Sequence, residues 1–203
     1  MNKSKLSRIF PVLLVVLIVI FLIFILVSIG RKIFSDNSKT NRSVSEVRIT
    51  PRDELLVTTQ GRGVRLVVRG PIVADEDFRS YQITVTPTSR QMVVYKGYLG
   101  ELVDKIDLAN NEAAYAEFVH ALDKQRFGAD EPFVSAKDDT RGICATGTVS
   151  EFDILKDNAS IYHVWTSTCG GSKGSLTTSE PNLRNLLLKQ IPDNSKILAK
   201  FRS

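Results

Sequence analysis

Histidine, cysteine, methionine and tryptophan are scarce in this 203-residue chain: two His, two Cys, two Met and one Trp. The scarcity removes several chemistries. A structural or catalytic zinc site needs Cys, His or carboxylate ligands at compact spacing, and His120, Cys144, His163 and Cys169 match no such pattern. The phosphate-binding order Gly-Lys-Ser/Thr opening a helix is also missing. The glycine-rich stretch Gly170-Gly171-Ser172-Lys173-Gly174 follows a strand-like run instead and is expected as a mobile loop. The acidic clusters Asp75-Glu76-Asp77 and Asp138-Asp139 lack calcium-loop spacing and are expected as solvated turns. No metal and no cofactor is expected.

A basic surplus is lacking where a nucleic-acid binder needs one. Of the 27 Lys and Arg, Lys3, Lys5 and Arg8 precede residue 9, which leaves 24 against 22 acidic residues in the remainder, a formal charge of +2. Such a balance gives no concentrated basic footprint, so no nucleic-acid partner is expected.

Charge is wholly absent from one stretch, and this is what the chain has in place of catalytic motifs. Ile9 to Ile29 is a run of 21 uncharged, mostly Val, Ile, Leu and Phe residues. At about 1.5 Å per residue such a helix spans roughly 31 Å, the thickness of the bilayer's hydrocarbon core. The run exceeds the roughly 7 to 15 apolar residues of a cleaved signal peptide. Residues 9–30 are therefore expected to be an uncleaved transmembrane anchor in contact with membrane lipid. The run holds no glutamate of the pilin type, and no cysteine follows it for lipidation. Basic residues near its two ends nearly tie, but long following domains translocate largely regardless of charge. The expected topology is a short cytoplasmic tail (1–8), the anchor (9–30), a polar Ser/Asn/Lys-rich linker (31–46) and an extracytoplasmic domain (47–203) in the cell envelope.

From Val47 on, strand patterns dominate. Leu55 to Thr59 and Val64 to Val68 are expected to pair around Gln60-Gly61-Arg62-Gly63, and Tyr81 to Thr86 with Met92 to Tyr95 around Thr88-Ser89-Arg90. Leu99, Leu102, Val103 and Ile106 have helical spacing, weakened by Gly97 and Gly100. The clearest helix is Asn111 to Arg126, with Tyr115, Phe118, Val119 and Leu122 as its buried stripe and His120 on its polar face. A second helix is expected after Ser179, with Pro181 in its first turn and Pro192 as its stop, and Ile197 to Phe201 as a closing strand. The fold class is thus α+β: one mostly antiparallel β domain with two helices.

The best-defined local unit runs from Cys144 to Cys169. Cys144 to Ile154 and Ile161 to Thr168 alternate apolar and polar residues, and Lys156-Asp157-Asn158-Ala159 between them is turn chemistry. Pairing the strands brings Cys144 near Cys169, and a cystine is expected there. Disulfides persist in oxidising compartments, so this pairing and the outside topology support each other.

The end of the second strand, Trp165-Thr166-Ser167-Thr168-Cys169, resembles the Thr-Leu-x-Thr-Cys strand of sortases, single-pass anchored transpeptidases with a β-rich outer domain. Thr168 and Cys169 are the two matching residues; the leucine position holds Thr166. The resemblance implies a thiolate at Cys169 assisted by a histidine and an arginine, for which His120 and Arg184 stand on helices. Two functions follow: a non-catalytic module that binds a partner or ligand in the envelope, and, as the alternative, a thiol-dependent sortase-like envelope enzyme using Cys169.

Overall fold

The computed structural model describes residues 49–202, so the tail, the anchor and the whole linker lie outside the described residues. Among the described residues, no helix is long and apolar enough to cross a membrane. The elements run α1 (Pro51–Leu55), β1 (Arg62–Arg69), β2 (Arg79–Val85), β3 (Ser89–Lys96), β4 (Glu101–Ala109), α2 (Glu112–Lys124), a 3-10 turn (Ser135–Asp138), β5 (Val149–Lys156), β6 (Ala159–Ser167), α3 (Glu180–Leu188) and α4 (Asn194–Arg202). This is an α+β fold.

All six strands form one antiparallel sheet in the order β4-β3-β2-β1-β5-β6. β1 is central. The meander β1 to β4 extends to one side of it, and the β5–β6 hairpin docks on the other, with Leu66 opposite both Ile83 and Phe152. Period-two alternation sends Val64, Leu66 and Val68 to one face, with Tyr81, Ile83 and Val85 beside them and Phe152, Ile154, Tyr162 and Val164 on the far side. Helices cover that face: Tyr115, Phe118, Val119 and Leu122 of α2, Leu183 and Leu187 of α3, and Ile197 of α4 join the same core. The expected stripe of α2 is thus the buried one, Asn111 caps it through Ala114 N, and His120 is exposed.

Four expectations are corrected. Leu55 to Thr59 is not a strand. Thr50 caps α1 in a reciprocal capping box with Asp53, Pro51 sits in the first turn, and Leu55 is buried as its last residue. The segment at Leu99 to Ile106 is not helical: Gly97 and Gly100 take positive φ (69° and 73°) and turn the chain into edge strand β4. Leu99, Leu102 and Val103 are exposed there, and of the four helically spaced residues only Ile106 packs against the core. The end, Ile197 to Phe201, lies in helix α4 rather than a strand, with the Phe201 ring edge-on to Tyr81. With α1 and α4 added, the described fold has four α-helices, not two.

The fourth correction concerns the hairpin. Its turn is as expected, with Asp157 and Asn158 at φ 51° and 65°, the two-residue left-handed turn that matches strand twist. Yet β5 starts only at Val149, opposite Ser167. A continued ladder would set Cys144 opposite Ser172. Instead the chain leaves the sheet at both ends, and the two loops bring the cysteines together.

The glycine-rich segment is pinned at its far end. Leu176 N donates to Trp165 O (3.0 Å), and a Cβ at Gly174 would stand 1.8 Å from that same carbonyl oxygen. Backbone cannot yield as a side chain does, so Gly174→Ala is expected to cost about 3 kcal/mol. Gly171, where an added Cβ meets nothing within 4 Å, should tolerate alanine to within about 0.5 kcal/mol. Urea unfolding of the two variants measures the difference.

Candidate functional site

The sheet face turned away from the helices carries polar side chains in register. One row crosses all six strands: Asp107, Gln91, Thr84, Arg65, Asp153 and His163 are successive cross-strand neighbours. Cross-strand pairs of this kind sit within side-chain reach, and the row is bonded at both ends. Gln91 Nε2 donates to Asp107 Oδ1 (2.7 Å), and Gln82 Nε2 reaches Thr84 Oγ1 (3.1 Å).

Asp153 is the hub of the other end and is only 3% exposed. Its Oδ2 accepts from Arg65 Nε (2.9 Å), and its Oδ1 from Ser160 Oγ (2.6 Å) and His163 Nδ1 (3.0 Å). Burial pushes this carboxyl upward, but the hydrogen bonds from His163, Arg65 and Ser160 outweigh it and hold it below its ordinary value. The hydrogen bond to Asp153 raises His163 above its ordinary value against the effect of burial, and the charges of Asp153, Asp138 and Glu151 add to the rise. A second pair lies beside the first: Arg69 Nε donates to Glu151 Oε1 (2.7 Å), and Thr140 Oγ1 to Glu151 Oε2 (3.2 Å).

Ser160, His163 and Asp153 are the residue types of a hydrolytic triad in the wrong order. The carboxylate stands in the middle, and Ser160 gives its hydrogen bond to Asp153, not to the imidazole. A nucleophile must contact its base, and here Ser160 and His163 each bond to Asp153 instead. Among the described residues, no group of three or more His, Cys, Asp or Glu side chains is placed to hold a metal ion.

Between Arg65 and the strand ends lies a groove of ≈ 250 Å³ floored by Gln82, Thr84 and Gln91 and walled by Asn158 and Ser89. It shares Thr86, Ser89, Leu155 and Asn158 with a depression of ≈ 370 Å³ that reaches Gly61-Arg62-Gly63. The β2–β3 and β5–β6 turns and the loop before β1 converge there; Asp157 N donates to Gly61 O (2.7 Å) and ties two of them together.

The cysteines stand at the opposite, open end of the β5–β6 hairpin. Their sulfurs are at disulfide distance, with Cα atoms 5.3 Å apart, and both join Val149, Trp165, Phe133 and Ile143 in a small satellite core. His120 is on the exposed side of α2, and Arg184 pairs with Glu180 on α3 (3.3 Å). His163 is half-buried in the sheet, as its strand position implied. Asp138 is not a solvated turn residue: its Oδ1 is buried and faces His163. The Arg65–Asp153–His163 hub was not singled out from sequence. Alternation alone puts each of its residues on a polar face; only the pairing of β1 with β5, nearly ninety positions later, brings Arg65 opposite Asp153. Comparison of the chain with protein-family models, with curated proteins and with solved structures returns no match.

Proposed function

We propose that the chain is a single-pass membrane-anchored protein, its amino terminus cytoplasmic and its main domain extracytoplasmic, whose α+β domain binds a partner or ligand of the cell envelope without transforming it. Residues 9–30 hold it in membrane lipid. The observation that carries this reading is the helix-free sheet face and its polar groove. Side chains fixed on adjacent strands line it with amide, hydroxyl and guanidinium groups. Asp153 and His163 beside it are tied to each other and to Arg65 and Ser160 rather than poised for proton transfer. Polar groups on a rigid scaffold suit recognition of a polar, extended segment. The near-neutral charge argues against nucleic acid.

A photo-crosslinking amino acid placed at Thr84 or Gln91 in the full-length chain, in intact cells, tests it. A light-dependent adduct of one discrete mass is expected from both positions and not from His120, on the far side of the domain. Adducts of equal yield from all three positions, or none from the groove, would overturn the reading.

A further inference from the structure

Residues 131–148 cross the helix-free face above β5 and β6 as a strap. It is fastened at four places. Cys144 meets Cys169; Ala145 O accepts from Ile72 N (2.8 Å); Thr140 O accepts from Arg69 Nη2 (2.9 Å); and Phe133 packs edge-on against Trp165, ring centroids 6.1 Å apart. Between Phe133 and Thr140 the 3-10 turn places Asp138 Oδ1 3.8 Å from His163 Nε2. Glu151 Oε2 lies at the same 3.8 Å from that nitrogen.

Two buried side-chain polar atoms among the described residues have no hydrogen-bond partner, Asp138 Oδ1 and Trp165 Nε1, and both lie at this strap. The placement of Asp138 Oδ1 depends on the state of one ring. Asp153 is an acceptor only, so His163 Nδ1 carries a proton and donates to it. In a neutral imidazole Nε2 is then a lone pair, aimed at two carboxylate oxygens, and it repels them. A second proton gives the ring a positive charge that attracts Asp138 and Glu151 across the same 3.8 Å. The groups that face the ring are Asp153 and Glu151 from β5 and Asp138 from the strap. Arg65 and Arg69 from β1 neutralise Asp153 and Glu151, which leaves Asp138 as the carboxylate whose placement depends on the ring. The strap's own Asp139–Arg141 pair is satisfied within itself.

We propose that residues 131–139 form a proton-operated latch: doubly protonated His163 holds Asp138 down over the sheet, and loss of the Nε2 proton releases this part of the strap and uncovers Trp165. The pins at Thr140 and Cys144 confine the movement to the segment before Thr140. The sign follows from linkage: the seated strap binds the proton more tightly, so the latch is closed at low pH and opens as pH rises past the ordinary histidine range. Opening also gives solvent to the indole N–H and to the orphan carboxylate oxygen.

Trp165 is the single tryptophan in the chain, which makes it the reporter. Acrylamide quenching of its fluorescence lifetime, in the full-length protein in lipid nanodiscs, is read from pH about 5.5 to about 8.5. The quenching constant is expected to rise about twofold or more with pH in the native chain. His163→Leu, with neither a donor nor a charge for Asp138, should give the high value at every pH. Asp138→Asn supplies a side-chain donor for a neutral Nε2 and should give the low value at every pH. Asp138→Asn also retains a titrating His163, so a persisting pH response there would mean that imidazolium quenches the indole directly, and would overturn the latch. So would a pH-independent native chain, or a response unchanged in His163→Leu.

Discussion

Replacing Cys144 or Cys169 with alanine is expected to destabilise the domain by about 3.5 kcal/mol, and by the same amount from either side. The bond closes a loop of sequence separation 25, and chain-entropy cost grows with the logarithm of that length. For a domain of this size the loss corresponds to a fall in melting temperature of roughly 7 to 14 °C. The double variant should lose no more than either single one, and reductant should bring the native chain to the same value. The physical reason is local. Without the bond, the strap and the segment after β6 are free of each other at the open end of the hairpin, and Trp165 loses part of the satellite core that covers it. Thermal unfolding of the four proteins, with and without reductant, measures it. Unequal effects carry a different meaning. If Cys169→Ala abolishes function in cells while Cys144→Ala restores it fully, Cys169 acts as a thiol and the sortase-like alternative replaces the binding module.

Asp153→Ala should be nearly as damaging, about 3 kcal/mol at pH 6, because it leaves a guanidinium and an imidazole beside a vacated, almost fully buried position. The penalty has a pH signature. The lowered Asp153 contributes stability that is complete above its unfolded value of 3.8 and lost as pH falls through the lower folded one. The raised His163 contributes stability that is complete below its unfolded value of 6.5 and lost as pH rises through the higher folded one. The gap between native and variant is therefore widest between these two limits. It narrows on the acid side, and it narrows on the basic side to what the Arg65 pair retains. Denaturant unfolding across pH checks this; a gap constant with pH would mean that Asp153 fills space and nothing more.

Local chemistry made part of this domain legible in sequence. Tyr115, Phe118, Val119 and Leu122 recur at the helical period and are buried on α2. Asp157-Asn158 carries its turn in two residues, although the loops beyond the hairpin, not its ladder, bring the cysteines together. Misreadings arose where two signals competed. Val57-Thr58-Thr59 looks β-branched, but Thr50 and Pro51 upstream start a helix that ends at Leu55. Leu99, Leu102, Val103 and Ile106 fall on a helical stripe, but Gly97 and Gly100 make a turn, and a strand results. The polar face was the least legible part. Arg65, Glu151, Asp153 and His163 are ordinary polar positions of alternating strands until β1 is known to lie between β2 and β5. That strand order depends on contacts made across the whole domain, which no short window of sequence contains.

The most direct measurement is the redox state of Cys144 and Cys169 in intact cells, by labelling with a membrane-impermeant thiol reagent before and after reduction. An exported, cystine-braced binding domain leaves both cysteines unlabelled until reductant is added and then labels both from outside. Two thiols that stay unlabelled from outside after reduction, yet react without reductant once the membrane is opened, would contradict both the brace and the topology.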